Sequence, residues 1–331
     1  MLTARSAAAD YVEAAAAARG QAYVCRGCGA SVIFKPGQVR IPHFAHRPDA
    51  GCAFGARMSL AHLTAQGRIA RALRERGLNV ELEASISGVD GDRRIDVLTW
   101  AADRPEARVA IEVQASDIGA ETIAARTASY QRMGVAPLWL RLLDFATFPA
   151  IQTLPLRGAV WIERYRARSW ERWAHDHLGG RLWFMDSGTG LVWRGLFVPA
   201  HRARERRLLR NDAGEAPGRA ADWTRARQWV DLELDGPFAL ESLKLGRGRA
   251  SGPDGRRRRL AWFTPPGEDD LRPPFAPNVR AVFSPERVGE SRYLQALVGG
   301  NWLAAVSEGA RSDWRTQRAP RRPALHPITR R

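Results

Sequence analysis

All three cysteines of this 331-residue chain lie close to two histidines, a residue set that can bind a tetrahedral metal ion. Cys25 and Cys28 are separated by two residues, and the glycines beside them let backbone amides turn toward the thiolates. His43, His46 and Cys52 are available to complete the site. The set Cys25, Cys28, His46 and Cys52 predicts a closed structural zinc site, with His43 behind the ligands or as an alternative ligand. Buried free cysteines beside surface histidines are the other interpretation, which the spacing disfavours.

A second group of polar residues, Asp96, Glu112 and Gln114, lies inside apolar segments. A carboxylate in a buried strand is costly unless it binds something. Glu112 and Gln114 are two residues apart and share one face of a strand, and a hairpin can bring Asp96 beside them. Two carboxylates and an amide oxygen suit Mg²⁺ or Mn²⁺, which would activate water for phosphodiester hydrolysis. The alternative is a surface strand with ordinary salt bridges, such as Asp96 with Arg93 or Arg94.

Three further residues are candidates for the same site. Arg126 and Tyr130 are one helical turn apart and share a helix face, from which they would reach a phosphate or orient the metal ligands. His62 lies among apolar residues of an earlier helix. For each of the three, the alternative is a purely structural role: Tyr130 and His62 in the core, and Arg126 on a solvated surface.

The elements that must position these residues follow from the apolar periodicity. A helix is predicted over 59–76 and ends at Gly77. Its apolar side consists of Leu60, Leu63, Ile69 and Leu73. Strands are predicted over 80–86, 93–100, 108–115 and 137–143, and a second helix over 118–133. The order helix, three strands, helix, strand is typical of a mixed α/β layer around one buried sheet. The alanine-rich segment 7–18 fits a helix or a short strand equally well.

The chain changes character near Ala159, which predicts a boundary there. Ten of the twelve tryptophans and most of the positive charge lie beyond it. We expect a zinc-ribbon-like region over 1–56, an α/β domain over 57–158, and a basic, tryptophan-rich region of mixed or β-rich structure over 159–331. In that last region we predict a basic helix over 202–210, a flexible arginine-rich loop over 246–259, a proline-rich stretch over 265–277 and a disordered tail. Most of the tryptophans should be core residues.

Composition limits the classes of partner. The formal net charge is +16 and is carried almost wholly by arginine, since Lys35 and Lys244 are the only lysines. This balance favours nucleic acid as the partner. No apolar run approaches the ~20 residues needed to cross a bilayer, so no membrane association is expected. Three cysteines are too few for a disulfide-stapled secreted fold, which predicts a reduced, cytoplasmic setting.

At these residues the chain resembles the competence protein CoiA family. The resemblance covers roughly residues 10–145 and implies a restriction-endonuclease-like nuclease domain, in which an Asp is followed by Glu-x-Lys or Glu-x-Gln. It also implies a role with DNA taken up during natural transformation. The matching stretches are Tyr23-Val24-Cys25-Arg26-Gly27-Cys28, Ile41-Pro42-His43-Phe44-Ala45-His46, Ser59-Leu60-Ala61-His62, Arg94-Ile95-Asp96-Val97, Ile111-Glu112-Val113-Gln114-Ala115-Ser116 and the segment from Arg126 to Tyr130.

The chain departs from the family pattern at two positions. Met58 replaces a glutamate that usually precedes the helix histidine, and Gln114 stands where related nucleases often carry lysine. The expected function is a metal-dependent nuclease acting on DNA, with single-stranded or branched forms among the substrates. The alternatives are a catalytically weak DNA-binding module that recruits recombination proteins, and a zinc-stabilised adaptor. Loss of the acid at position 58 favours the recruiting module, whereas intact Asp96, Glu112 and Gln114 favour the nuclease.

Overall fold

The structure is a computed structural model that describes residues 1–37, 40–48, 50–52, 58–88, 91–144, 151–153, 160–177, 182–198, 230–251 and 257–266. The chain divides into two compact units. The first contains Met1–Ala115, Ala128–Leu143 and Met185–Gly190. The second contains Ser116–Thr127, Asp144–Phe184 and Leu191–Arg331. The boundaries predicted at residues 56 and 158 stay predictions.

The first unit opens with a small antiparallel sheet that carries the cysteines and histidines. Its five strands have the order β2-β1-β3-β4-β5. Tyr23, Phe34 and Phe44 pack their rings together, with centroids 5.0 to 6.1 Å apart, and form the centre of its core. The alanine-rich segment forms β2 and a short 3₁₀ turn, Ala14–Ala16, rather than an α-helix. The strands are β1 Thr3–Ser6, β2 Tyr11–Glu13, β3 Tyr23–Val24, β4 Ser31–Lys35 and β5 His43–Ala45.

The chain continues with the α/β layer that the sequence predicts, and all of this layer except the first part of its second helix belongs to the first unit. The order is α1 Leu60–Glu75, β6 Asn79–Ile86, β7 Arg93–Ala101, β8 Arg104–Gln114, α2 Ala120–Arg132 and β9 Ala136–Leu143. Strands β6, β7 and β8 pair antiparallel in sequence, and β9 pairs parallel to β8. Every residue of β9 is buried, in keeping with its nearly continuous apolar sequence. The predicted mixed α/β layer is confirmed.

Local sequence explains how α1 starts and ends. Ser59 is its N-cap and accepts a hydrogen bond from the amide of His62 at 3.1 Å. Gly77, with a φ of +78°, adopts the left-handed conformation that ends helices. Leu63, Ile69 and Leu73 are buried as predicted. The placement of Leu60 on the buried side was wrong: it is 38% exposed, because it lies in the first turn, before the helix reaches the core.

The second unit is rich in strands. Its larger sheet has the order β10-β11-β14-β13-β12, and β15 and β16 form a separate antiparallel hairpin. Trp170, Trp183, Trp193 and Trp262 are buried, which confirms the core role predicted for these tryptophans. The elements are β10 Ile151–Thr153, β11 Val160–Tyr165, α3 Ser169–His177, β12 Leu182–Asp186, β13 Val192–Val198, β14 Val230–Phe238, β15 Lys244–Ser251 and β16 Arg257–Thr264.

The predicted flexible loop over 246–259 was wrong. Most of this segment belongs to the hairpin of β15 and β16, paired from Lys244 with Thr264 to Ser251 with Arg257. The run Leu260, Ala261, Trp262 and Phe263 is buried and anchors the hairpin, which overrides the local preference of its glycines and arginines for a loop. The predicted helix over 202–210, the disordered tail and nearly all of the proline-rich stretch lie outside the described residues. Among the helices that the structure describes, none is long and apolar enough to span a membrane.

Glu83 joins the two sheets of the first unit. Its side chain is fully buried on β6 and accepts hydrogen bonds from the amides of Leu2 and Thr3, at 3.0 and 3.2 Å. The hydroxyl of Thr3 and the guanidinium of Arg94 also donate to it, each at 2.7 Å. Glu83 has a φ of +50°, which is rare for a residue with a side chain and persists only where several contacts enforce it. The carboxylate therefore holds β1 against β6.

We predict that Glu83→Ala loosens this junction. The substitution leaves the buried donors of Thr3 and Arg94 without an acceptor, at a cost of about 3 kcal/mol. Hydrogen exchange followed by mass spectrometry should show faster exchange in peptides that contain the amides of Leu2 and Thr3.

Glu81→Ala is the matched control, because Glu81 lies on the same strand but its ion pair with Arg26 is partly exposed. Such a pair contributes no more than about 1 kcal/mol, so exchange at β1 should change little. Equal protection of β1 in the wild type and in Glu83→Ala would show that Glu83 does not hold the sheets together.

Candidate functional site

The cysteine and histidine cluster forms as the sequence predicts. The ligand atoms of Cys25, Cys28, His46 and Cys52 all lie within 4.8 Å of one another. The thiol sulfurs of Cys25 and Cys52 are 3.9 Å apart, and Cys28 Sγ lies 3.4 Å from His46 Nε2. Three sulfurs and one imidazole nitrogen at this separation can hold one tetrahedral Zn²⁺ ion.

Backbone geometry around the first cysteine supports this role. The turn after β3 directs the amide of Gly27 to Cys25 Sγ at 3.3 Å, as the glycine content predicts. Gly29, with a φ of +72°, closes the turn and donates its amide to the carbonyl oxygen of Cys25 at 3.0 Å. Burial raises the pKa of Cys25 to about 11, so the free thiol stays protonated at neutral pH. A bound cation would favour the thiolate.

His43 lies outside the four-residue group. Its Nδ1 is 3.0 Å from the carbonyl oxygen of Ile41, and the residue lines a cavity of about 500 Å³ beside β5 and the start of α1. The geometry therefore favours His46 over His43 as the histidine ligand.

The register of the α/β sheet places Asp96 beside Glu112. The antiparallel pairing of β7 with β8 joins Val97 to Ile111, and continuing it by one residue sets Asp96 opposite Glu112. Glu112 is 2% exposed, and the side chain of Asp96 is 14% exposed. Like charges directly opposite each other on neighbouring strands are destabilising, more so with little water around them. The pair therefore needs compensating positive charge or hydrogen-bond donors.

Asp96 receives donors from two other elements. The amide of Val113 on β8 donates to its Oδ2 at 2.8 Å, and Gln66 Nε2 on α1 donates to its Oδ1 at 2.7 Å. His62 Nε2 lies 3.2 Å from the same Oδ1. Burial lowers the pKa of His62, but the hydrogen bond and charge of Asp96, with the charge of Glu112, raise it above its ordinary value overall. Both carboxylates therefore raise the pKa of His62.

Glu112 is held by the helix that follows its strand. Tyr130 on α2 is fully buried and donates its hydroxyl to Glu112 Oε1 at 2.5 Å. Tyr130 is thus a core residue and a partner of a candidate metal ligand at the same time. Gln114 is two residues beyond Glu112 on β8, and its backbone carbonyl accepts a hydrogen bond from the buried Arg141 at 3.1 Å. Arg126 is half-buried on α2, one turn before Tyr130, and its role stays a prediction.

Gln66 also belongs to this site, although the sequence pattern did not predict it. This residue is fully buried one helical turn after His62, and it contacts both His62 and Asp96. Its amide oxygen accepts no hydrogen bond from the part of the chain that the structure describes, although it is buried. A water molecule on a hydrated cation would satisfy that oxygen. The spacing of four residues from His62 on a helix was the signal that could have identified it.

The environment of Met58 shows what an acid at this position would meet. Met58 Sδ lies 2.9 Å from Arg94 Nη2, the same nitrogen that donates to Glu83 at 2.7 Å. Arg94 therefore already has a carboxylate partner, supplied by β6 instead of by the segment before α1.

Two family models match the segments of the chain that contain these clusters. Residues 8–55 match the family model described as Competence protein CoiA, N-terminal domain, and residues 59–144 match Competence protein CoiA, nuclease-like domain. Competence protein CoiA of Bacillus subtilis (strain 168) is 28% identical over 119 residues, which are 36% of this chain and 31% of that protein. The aligned part thus spans about a third of the length of this relative.

A solved structure is also similar in part. The crystal structure of the protein of unknown function AF1548 is 21% identical and covers 24% of this chain and 46% of its own, with a TM-score of 0.20. Residues 8–55 and 59–144, each containing one of the clusters described above, are thus similar to the N-terminal and nuclease-like domains of the competence protein CoiA family.

Proposed function

We propose that residues 59–144 form a nuclease domain of the restriction-endonuclease-like kind that hydrolyses phosphodiester bonds of DNA with Mg²⁺ or Mn²⁺. The observation that carries this proposal is the buried pair Asp96 and Glu112 on adjacent strands, which a divalent cation with oxygen ligands would neutralise. The match of this segment to a nuclease-like domain supports the same chemistry.

Asp96 and Glu112 would hold the ion, which supplies charge stabilisation at the phosphate and an activated water. Hydrogen bonds from the surrounding residues orient the two carboxylates. Gln66 and the amide of Val113 fix Asp96, and Tyr130 fixes Glu112. Gln114 shares the face of Glu112 and would orient water or phosphate as a hydrogen-bond partner. His62 would contribute positive charge or accept a proton beside Asp96.

We further propose that the N-terminal cluster binds one structural Zn²⁺ ion. Four protein ligands complete a tetrahedral site and leave no open position for substrate. The ion would stabilise the short strands of the five-stranded sheet, which have few residues with which to build a core. A part in processing DNA during natural transformation would agree with the name of the Bacillus subtilis relative.

A second candidate function is a DNA-binding module that recruits recombination proteins without cutting DNA. The favouring observation is that Asp96 already accepts hydrogen bonds on both of its carboxylate oxygens. Methionine at position 58 also replaces the glutamate of the family pattern, and glutamine at position 114 replaces the lysine that related nucleases often carry. Cleavage and DNA binding, measured separately, distinguish the two functions.

The carboxylate pair is tested by removing one charge at a time. Asp96→Asn and Glu112→Gln should each lower DNA cleavage with Mg²⁺ or Mn²⁺ by more than about 100-fold, because each removes a charge that holds the ion. Gel assays on single-stranded, duplex and branched DNA measure the effect. Glu81→Gln, on the same sheet, should cut like the wild type. Full activity in either of the first two variants would exclude this pair as the metal site. A wild-type protein that binds DNA but never cuts it would favour the recruiting module.

Tyr130→Phe tests the positioning of Glu112. Removing the hydroxyl leaves the fold nearly unchanged but frees a buried carboxylate oxygen, so we expect kcat to fall about 10- to 100-fold with DNA affinity retained. A higher Mn²⁺ concentration at half-maximal rate should accompany this fall. If Tyr130→Phe lost stability but kept its rate and metal dependence, Tyr130 would be structural only.

The zinc site is tested by two histidine variants. Protein purified without chelator should contain about one zinc ion per chain. His46→Ala should lose most of it, because a ligand is removed, whereas His43→Ala should keep it. Elemental analysis by mass spectrometry gives the stoichiometry. Wild-type protein without zinc would refute the site, and equal zinc loss in both variants would refute the choice of His46 as the ligand.

A further inference from the structure

Gln66 differs from its neighbours on the buried side of α1. The buried residues of this helix are Leu63, Ala65, Gln66, Ile69, Ala70, Ala72 and Leu73. Six of these seven are apolar. An amide in such surroundings is costly unless both of its ends are hydrogen-bonded, whereas an apolar side chain would pack the helix without that cost. The glutamine at this position therefore points to a role for its amide group.

Asp96 determines which way the amide of Gln66 is turned. Gln66 Nε2 lies 2.7 Å from Asp96 Oδ1. An ionised carboxylate can only accept hydrogen bonds, so the amide nitrogen must be the atom that faces it. The same nitrogen lies 3.0 Å from Nε2 of His62. The nitrogen end of the amide is thus engaged within the proposed metal site, which fixes the orientation of the oxygen end.

The oxygen end of the same amide is buried beside this site. Gln66 Oε1 has no hydrogen-bond donor among the residues that the structure describes. Oε1 and Nε2 share one carbon atom, so Oε1 lies within about 5 Å of Asp96 Oδ1. A buried acceptor without a donor is destabilising. The geometry therefore predicts that the donor is supplied by something that binds next to Asp96.

We propose that Gln66 Oε1 accepts a hydrogen bond from a water molecule coordinated by the divalent cation of Asp96 and Glu112, so that Gln66 determines the affinity for the hydrated cation. Mg²⁺ keeps several of its waters when one or two carboxylates bind it, and such waters are hydrogen-bond donors. One amide then holds a ligand of the ion through its nitrogen and a water of the ion through its oxygen. This inference rests on the proposed metal site and adds to it a residue that acts through the bound water.

Two substitutions separate the two ends of the amide. Gln66→Met has nearly the same length and removes both ends, whereas Gln66→Glu keeps an acceptor oxygen but loses the donor. If Gln66 acted only through Nε2, Gln66→Glu would be at least as harmful as Gln66→Met, because the new carboxylate would repel that of Asp96. If Oε1 holds the water of the cation, Gln66→Glu keeps that acceptor, and its charge adds to the attraction for the cation.

The test is the Kd for Mn²⁺, measured by isothermal titration calorimetry on the full-length protein at about pH 8, which favours the ionised form of the introduced carboxyl group. Gln66→Met should weaken Mn²⁺ binding about 10- to 100-fold, as is typical when a group behind the metal ligands is removed. Gln66→Glu should bind Mn²⁺ at least as tightly as the wild type. Thr99→Val is the control and should keep the wild-type Kd. Thr99 is fully buried on the same strand as Asp96, but its hydroxyl donates to the carbonyl oxygen of Asn79, at the start of β6, at 2.8 Å.

Wild-type affinity in Gln66→Met would overturn the inference. Weaker Mn²⁺ binding by Gln66→Glu, with a wild-type circular dichroism spectrum, would overturn it even if Gln66→Met did not fold. Loss of Mn²⁺ binding in Asp96→Asn together with wild-type affinity in Gln66→Met would leave the proposed metal site standing and remove only the role of Gln66. A wild-type protein that binds no Mn²⁺ would refute the metal site and this inference together.

Discussion

The cost of burying carboxylates governs the construction of the α/β layer. Glu83, Asp96 and Glu112 lie on three consecutive strands, and each has lost most of its contact with water. A buried carboxylate must find donors or a cation. The three take their donors from different parts of the chain: Glu83 from the N-terminal sheet and Arg94, Asp96 from α1 and β8, and Glu112 from α2. These bonds tie the helices and the N-terminal sheet to the central strands.

The conformation of Glu83 follows from the same constraint. The pairing of Leu82 with Val97 and of Ala84 with Ile95 places Glu83 opposite Asp96. A regular strand would set the two acids side by side, where their charges repel. The left-handed backbone at Glu83 interrupts the ladder at this position, and the carboxylate binds β1 and Arg94 instead. Asp96 instead accepts its hydrogen bonds from α1 and β8 and lies beside Glu112, at the proposed metal site.

The two proposed metal sites differ in the chemistry of their ligands. Sulfur and imidazole ligands in the N-terminal cluster suit zinc, and the closed set suits a structural role. Carboxylate oxygens in the α/β layer suit Mg²⁺ or Mn²⁺. This difference in ligands would keep Mg²⁺ and Mn²⁺ out of the N-terminal cluster, because thiolates bind these hard cations poorly.

Local sequence patterns predicted most of the helices and strands of the α/β layer and the metal-ligand cluster. The features that the sequence did not predict depend mainly on contacts between residues far apart in the chain. Apolar periodicity predicted α1, β6 to β9 and α2 in the correct order, and the Cys and His spacing predicted the four-residue cluster. The partnership of Glu83 with Thr3 joins residues 80 positions apart and leaves no local signal. Gln66 was missed because a glutamine on a helix is usually solvated. The hairpin of β15 and β16 was taken for a loop because its glycines and arginines are typical of loops, whereas its anchor, Phe263 against Trp183, is a tertiary contact.

Binding of a divalent cation between Asp96 and Glu112 is the central step of the proposed chemistry, and it can be tested without DNA. Isothermal titration calorimetry of Mn²⁺ into zinc-loaded protein should detect a binding site in the wild type. That site should disappear in Asp96→Asn and in Glu112→Gln, while zinc content and the circular dichroism spectrum stay unchanged. The same Mn²⁺ binding in all three proteins, or none in the wild type, would contradict the claim that these carboxylates form a metal site.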